Sequence, residues 1–212
     1  MPKPNAVFKE TYETYLEKIL MLNLRDISGK LGLIAHGDRF LIRCLNREYI
    51  ISDHSIHTVT HEKAPYDIFI VLSWYLLMCP AVEPAGAELS SFRDFKDSGP
   101  LTVYFSHDVE TKTARRFAGK KDALIRACRL SGGYESGVSA GYDAGARFDA
   151  LPKIPVVLLF NDKGDEFDAT AKLLFEKRAE SYLDAECLAI LGNLLCQCLI
   201  TYKGCFLQSS LY

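Results

Sequence analysis

Four carboxylates, Asp162, Asp165, Glu166 and Asp168, fall within seven positions just after the apolar run "IPVVLLF". Like charges this close repel, and if the group is partly buried one member is pushed toward a neutral acid near physiological pH. A neutral acid beside an ionised carboxylate is the equipment of acid and base catalysis, and the same pair can instead receive a ligand. A solvated acidic turn is the competing reading. Position favours recognition, because Asp165 and Glu166 follow the most apolar strand and precede Phe167, whose burial would fix their direction.

Other residues capable of chemistry are less well placed. His54, His57 and His61 in "DHSIHTVTHEK" would share a face in a helix and could collect zinc there. The neighbouring Ile56, Thr58, Val59 and Thr60 favour a strand instead, in which His57 and His61 share a face and His54 points away. Two histidines do not close a site. Cys187, Cys196, Cys198 and Cys205 lie in or just after a final helix, where Cys196 and Cys198 are about 200° apart and Cys187 and Cys198 are roughly 16 Å apart along the axis. Neither pair can chelate one ion, so buried thiols acting as small hydrophobes are expected, with no metal and no cofactor.

Gly133, Gly137, Gly141 and Gly145 recur every four residues, but no Lys-Ser or Lys-Thr opens a helix after them. A phosphate loop needs that step, so the segment is expected to be a mobile connection, with an adaptable lid as the alternative. No Gly-x-Ser-x-Gly elbow and no His-Glu-x-x-His helix occurs, so familiar hydrolytic machinery is not encoded in recognisable form.

The elements that must hold these residues can be read from periodicity. Tyr12, Tyr15, Leu16, Ile19 and Leu20 follow Phe8 at helical spacing, which predicts an amphipathic helix over residues 5 to about 28. The stretch "LIAHGDRFLIRCLNREYIIS" predicts an antiparallel meander with Phe40, Ile42 and Cys44 on one face and turns at His36-Gly37-Asp38 and Asn46-Arg47. Residues 53–63 predict a further strand or edge. Pro65 opens a buried helix to about Met78, "LTVYF" reads as a short strand, and residues 109 to 130 read as a charged helix stopped by Gly132 and Gly133. The run of residues 154–160 is apolar throughout, which suits a central strand covered on both faces. "FDATAKLLF" predicts its neighbour, and a last helix covers residues 183 to 202. Helices and strands that mix without strict alternation predict an α+β fold: an antiparallel meander and a buried central strand in a mixed sheet, packed with about four helices.

Composition bounds the rest. A chain of 212 residues that is 49% hydrophobic can build one substantial core, so residues 1–212 are expected to form a single globular domain. A net charge of -2, with both signs spread along the chain, offers no general attraction to a phosphate backbone and argues against nucleic acid. The longest apolar run, "IFIVLSWYLLMC", is short of the roughly 20 residues a spanning helix needs, so no membrane is expected. The first twenty residues lack the apolar stretch and cleavage site of a signal peptide, so the protein is expected in the cytoplasm. Seven cysteines, unevenly spaced in a chain of this size, predict reduced thiols.

The stretch "LPKIPVVLLFNDKGDEFDATAKLLFEKRAESYLDAECLAILG" resembles the C-terminal half of domain-of-unknown-function family 3786. The likeness rests on Leu151-Pro152, Pro155, Asp165-Glu166-Phe167, Ala169, Leu174-Phe175, Tyr182-Leu183, Glu186 and Leu188-Ala189, and weaker similarity extends to "REYII", "WYLL", "SSFRDF" and "LSGG". Asp168 stands where that family usually has proline, and Glu176 where it usually has aspartate. The resemblance implies a setting in anaerobic cofactor or metal metabolism, because such relatives often accompany a small iron–sulfur module, although this chain has no cluster-binding cysteine run.

The function expected from these readings is a ligand-binding or accessory domain whose pocket is built from Phe92, Arg93, Asp165, Glu166, Phe167, Glu176 and Tyr182. Arg93 would meet a carboxylate or an anionic ligand, and Phe167 and Tyr182 would form flat apolar walls. Its partner would be a small molecule or a protein, with an iron–sulfur or corrinoid protein as the candidate the resemblance implies. One alternative is an enzyme using Asp165 and Glu166 as acid and base. Another is a structural subunit that docks through an exposed apolar face.

Overall fold

The computed structural model describes residues 6–52, 55–138 and 141–201, with backbone alone for residues 6–10. The expected first helix is two: α1 (Ala6–Leu20) and α2 (Leu24–Leu31). Asn23 makes the break, because its side chain accepts the Arg25 N–H and caps a new helix start. The meander follows as strands β1 (Ile34–His36), β2 (Arg39–Cys44), β3 (Arg47–Ser52) and β4 (Ser55–Thr58), each antiparallel to the next. Phe40, Ile42 and Cys44 are buried on one face of β2, as their alternation requires. The β2–β3 turn lies one residue earlier than expected. Leu45 and Asn46 both take positive φ, 49° and 62°, the geometry of a two-residue hairpin turn.

Helix α3 (Tyr66–Leu77) is the expected buried helix. The segment "LTVYF" is not a strand. It belongs to α4 (Gly99–Tyr104) and to the π-helical stretch Phe105–Thr111, which continues as α5 (Lys112–Phe117). Pro100 in the first turn is the start signal that outweighs five residues of alternation. The charged helix breaks at Gly119, where φ is +71°, and α6 (Lys121–Leu130) begins afresh.

A second sheet contains β5 (Leu89–Ser91), β6 (Tyr134–Glu135), β7 (Ala144–Leu151), β8 (Ile154–Asn161) and β9 (Thr170–Glu176), in the order β5-β9-β8-β7-β6. All its pairings are antiparallel, so the expected mixed sheet is corrected: β7, β8 and β9 follow one another through hairpins, which forces alternating direction. Strand β8 is central and buried along residues 154–160, as its unbroken apolar run requires. Helix α7 (Ala185–Thr201) closes the described chain.

Val156, Leu158, Phe160, Leu173 and Phe175 face the helices and join a contiguous core that also takes in Phe40, Ile42, Tyr49 and Ile51 of the first sheet. One hydrogen bond ties the sheets directly, and a second device ties α2 and α3 to the β7–β8 turn. The Leu45 N–H donates to the Ala150 carbonyl at 2.9 Å. The buried Tyr75 hydroxyl donates to the Leu31 carbonyl at 2.9 Å and accepts from the Lys153 N–H at 3.2 Å. The fold is α+β, and no helix among the described residues is long and apolar enough to cross a membrane.

Candidate functional site

The acidic segment sits in the loop between β8 and β9, and its members separate. Asp162 is structural: its carboxylate accepts backbone N–H groups of Gly119, Lys121 and Lys163, which fastens the start of α6 to the end of β8. Partial burial pushes its pKa upward, but these donors together hold it below the usual carboxylate value. Asp165 and Glu166 are exposed. The Gly164 N–H closes the turn on the Phe167 carbonyl, and Phe167 is 76% exposed. The expected burial of Phe167 is therefore corrected, because the turn is closed by backbone and leaves the ring outside the core.

The remaining expected site residues lie elsewhere. Phe92 is buried and stacked on Phe105, with centroids 4.2 Å apart. Arg93 is exposed beside Asp94 at 3.7 Å. Tyr182 is fully buried with its ring 5.8 Å from that of Tyr75, and its hydroxyl has no hydrogen-bond partner among the described residues. Burial moves its pKa upward. Glu176 is at the end of β9 away from the acidic loop, a separation of roughly 20 Å at the usual strand rise. These residues do not share one pocket.

Glu176 has a different company. Its buried carboxylate accepts from Arg147 Nη2 on β7 and from Arg178 Nε, both at 2.6 Å, across the outer face of the second sheet. Glu110, buried in the π-helical stretch, accepts the Leu173 N–H at 3.1 Å and Lys172 Nζ at 3.0 Å. Strand β5 pairs with β9 only from Leu174 onward, so Glu110 satisfies a donor the sheet leaves open. The signal for Arg147 and Glu110 in the sequence is weak, since each partner is brought near only by the sheet.

The histidines and cysteines are dispersed as well. Strand β4 ends at Thr58, and His61 lies in a turn with φ of 64°, so the expected shared face of His57 and His61 does not form. His57 Nε2 lies 2.8 Å from the Ser55 hydroxyl, and His54 lies outside the described residues. Cys44, Cys79, Cys128, Cys187 and Cys196 are free thiols. Cys198 is disulfide-bonded, which corrects the expectation of reduced thiols there. It stands about 200° around α7 from buried Cys196. Cys205 lies outside the described residues. Among the described residues no group of three His, Cys, Asp or Glu side chains is placed to hold a metal.

A cavity of about 360 Å³ lies between α6 and the second sheet. Helix α6 gives one wall with Leu124, Ile125 and Cys128, and the sheet gives the other with Ala144, Ala146, Leu158 and Phe160. The small side chains at Ala144 and Ala146, which share one face of β7, keep the hollow open, because larger residues at these alternating positions would fill it. Arg129, Tyr134 and Glu135 stand at its rim. The Tyr134 hydroxyl is committed to Asp149 at 2.9 Å. Burial, with Cys196 nearby, pushes the Cys128 thiol up to about 12, so it stays protonated and serves as an apolar wall rather than a nucleophile. Of the expected glycines, Gly133 is packed against Phe148, Gly145 lies in β7, and Gly137 and Gly141 use positive φ in the connecting loop. The arrangement can enclose a small molecule, and it presents no nucleophile and base in contact.

No curated protein and no solved structure matches this chain. A family model does, over residues 23–198, from the cap of α2 to the last turn of α7. The match spans both sheets and the cavity between α6 and β7, and on it the chain belongs to the family described as Domain of unknown function (DUF3786).

Proposed function

We propose that the protein is a non-catalytic ligand-binding or accessory domain that holds a small, largely apolar molecule between α6 and the β6–β7 side of the second sheet. The cavity of about 360 Å³ carries this reading, since its size falls in the range of small-molecule sites and its walls are apolar with a few polar groups at the rim. The family resemblance supports a setting in anaerobic cofactor or metal metabolism, with an iron–sulfur or corrinoid protein as partner. The acid–base alternative draws no support from Asp165 and Glu166, which are exposed on a loop.

The test is amide chemical-shift mapping with ethylbenzene as the probe. Shifts should centre on Leu124, Cys128, Ala146 and Leu158, and Ala144→Leu, which fills the hollow, should erase them. Shifts centred elsewhere, or none at all, would overturn the proposal.

A further inference from the structure

The rim of this cavity carries two opposite charges that do not meet. Arg129 stands on the last turn of α6 and Glu135 on β6, so they flank the opening from facing walls. Both are exposed, and no ion pair joins them, although nearby polar side chains are paired elsewhere, Arg147 with Glu176 and Tyr134 with Asp149. Below them the walls are hydrocarbon: Leu124, Ala146, Leu158 and Phe160. An occupant that satisfies all three features has an anionic end, a cationic end and an apolar body.

Resting on the small-molecule reading above, we propose that the occupant is a zwitterionic α-amino acid with an apolar side chain. Its carboxylate meets the Arg129 guanidinium, its ammonium meets the Glu135 carboxylate, and its side chain enters the hollow. The guanidinium fork suits a carboxylate, and each contact is a charge-assisted hydrogen bond at the mouth of a low-dielectric space. The cavity of about 360 Å³ has room for a leucine- or phenylalanine-sized molecule. A purely apolar molecule would use the walls and leave both charges unanswered.

Calorimetric titration with four probes of similar shape separates the possibilities: L-phenylalanine, 3-phenylpropionate, phenethylamine and ethylbenzene. L-phenylalanine should bind about tenfold more tightly than either singly charged analogue, the effect of one added charge-assisted contact. Arg129→Gln should bring L-phenylalanine down to the level of phenethylamine, and Glu135→Gln down to that of 3-phenylpropionate. Equal binding of all four probes, or a preference for a singly charged one, with both variants unchanged, would overturn the zwitterion while leaving the small-molecule site intact. Binding that survives both Ala144→Leu and Ala146→Val, each checked for native melting, would show that the probes lie elsewhere and would overturn the cavity reading with it. Absence of binding by every probe overturns both.

Discussion

Asp162 and Asp165 stand three residues apart in the same acidic loop and meet different surroundings. Three backbone donors hold Asp162 in place, whereas Asp165 is exposed on the turn. Asp162→Ala should therefore lower stability by about 1 kcal/mol, the usual loss for a residue that satisfies free N–H groups at a helix start. Asp165→Asn and Glu166→Gln should each stay within about 0.5 kcal/mol. The acid limb follows from the sign of the Asp162 shift. Its pKa in the folded state lies below the unfolded value, so its contribution is complete above the ordinary carboxylate range and is lost as pH falls through the folded value. Urea denaturation of wild type and Asp162→Ala at neutral and acid pH should show the gap closing with acidification; a gap that widens would contradict this assignment. Alternation and apolar runs in the sequence marked the end of β8 as a place where carboxylates gather. They carried no sign of which one the α6 start would reach, because Gly119 and Lys121 are more than forty positions away.

Helix α7 runs against the helical stretch of residues 99–117, and at Gly192 the two come close. A Cβ placed on Gly192 would lie 2.7 Å from a ring carbon of Phe105, whose ring is already fixed by stacking on Phe92. Gly192→Ala should destabilise by about 1–3 kcal/mol despite alanine's better helix propensity, measured by thermal melting. An unchanged melting temperature would mean the two helices can part without cost. Strand β9 is held at its end by Glu176. Glu176→Gln should weaken the link from β9 to β7 by about 2 kcal/mol, less than for a fully buried pair because Arg147 and Arg178 retain partial access to water. Amide exchange should quicken first in β7 and β9. The 154–160 run and the Pro65 helix start were legible as elements because their length and composition leave one option. "LTVYF" was not, since a five-residue alternation fits either a strand or one and a half turns of helix.

At the scale of the whole molecule, the two sheets share one core and are joined by the Leu45 hydrogen bond, while Tyr75 fastens α2 and α3 to the second sheet. Residues 6–201 should accordingly unfold in one calorimetric transition. Tyr75→Phe should lower that transition by about 1–3 kcal/mol, because the Leu31 carbonyl and the Lys153 N–H lose a buried partner. Two separated transitions would show that the sheets are independent units. By itself the amino-acid sequence determined the α+β class, the meander, the central β8 strand, the buried α3 helix and the family, because each rests on local periodicity or on a contiguous run of residues. Tertiary structure alone decided where the chemistry can lie. It separated Asp165 and Glu166 from Glu176, gave Glu176 to two arginines, left Phe167 in solvent, and opened a hollow between α6 and the Ala144 to Ala146 segment. Those outcomes depend on which strands become neighbours and on how far apart two walls are held, and these distances are set by packing between segments remote in the chain.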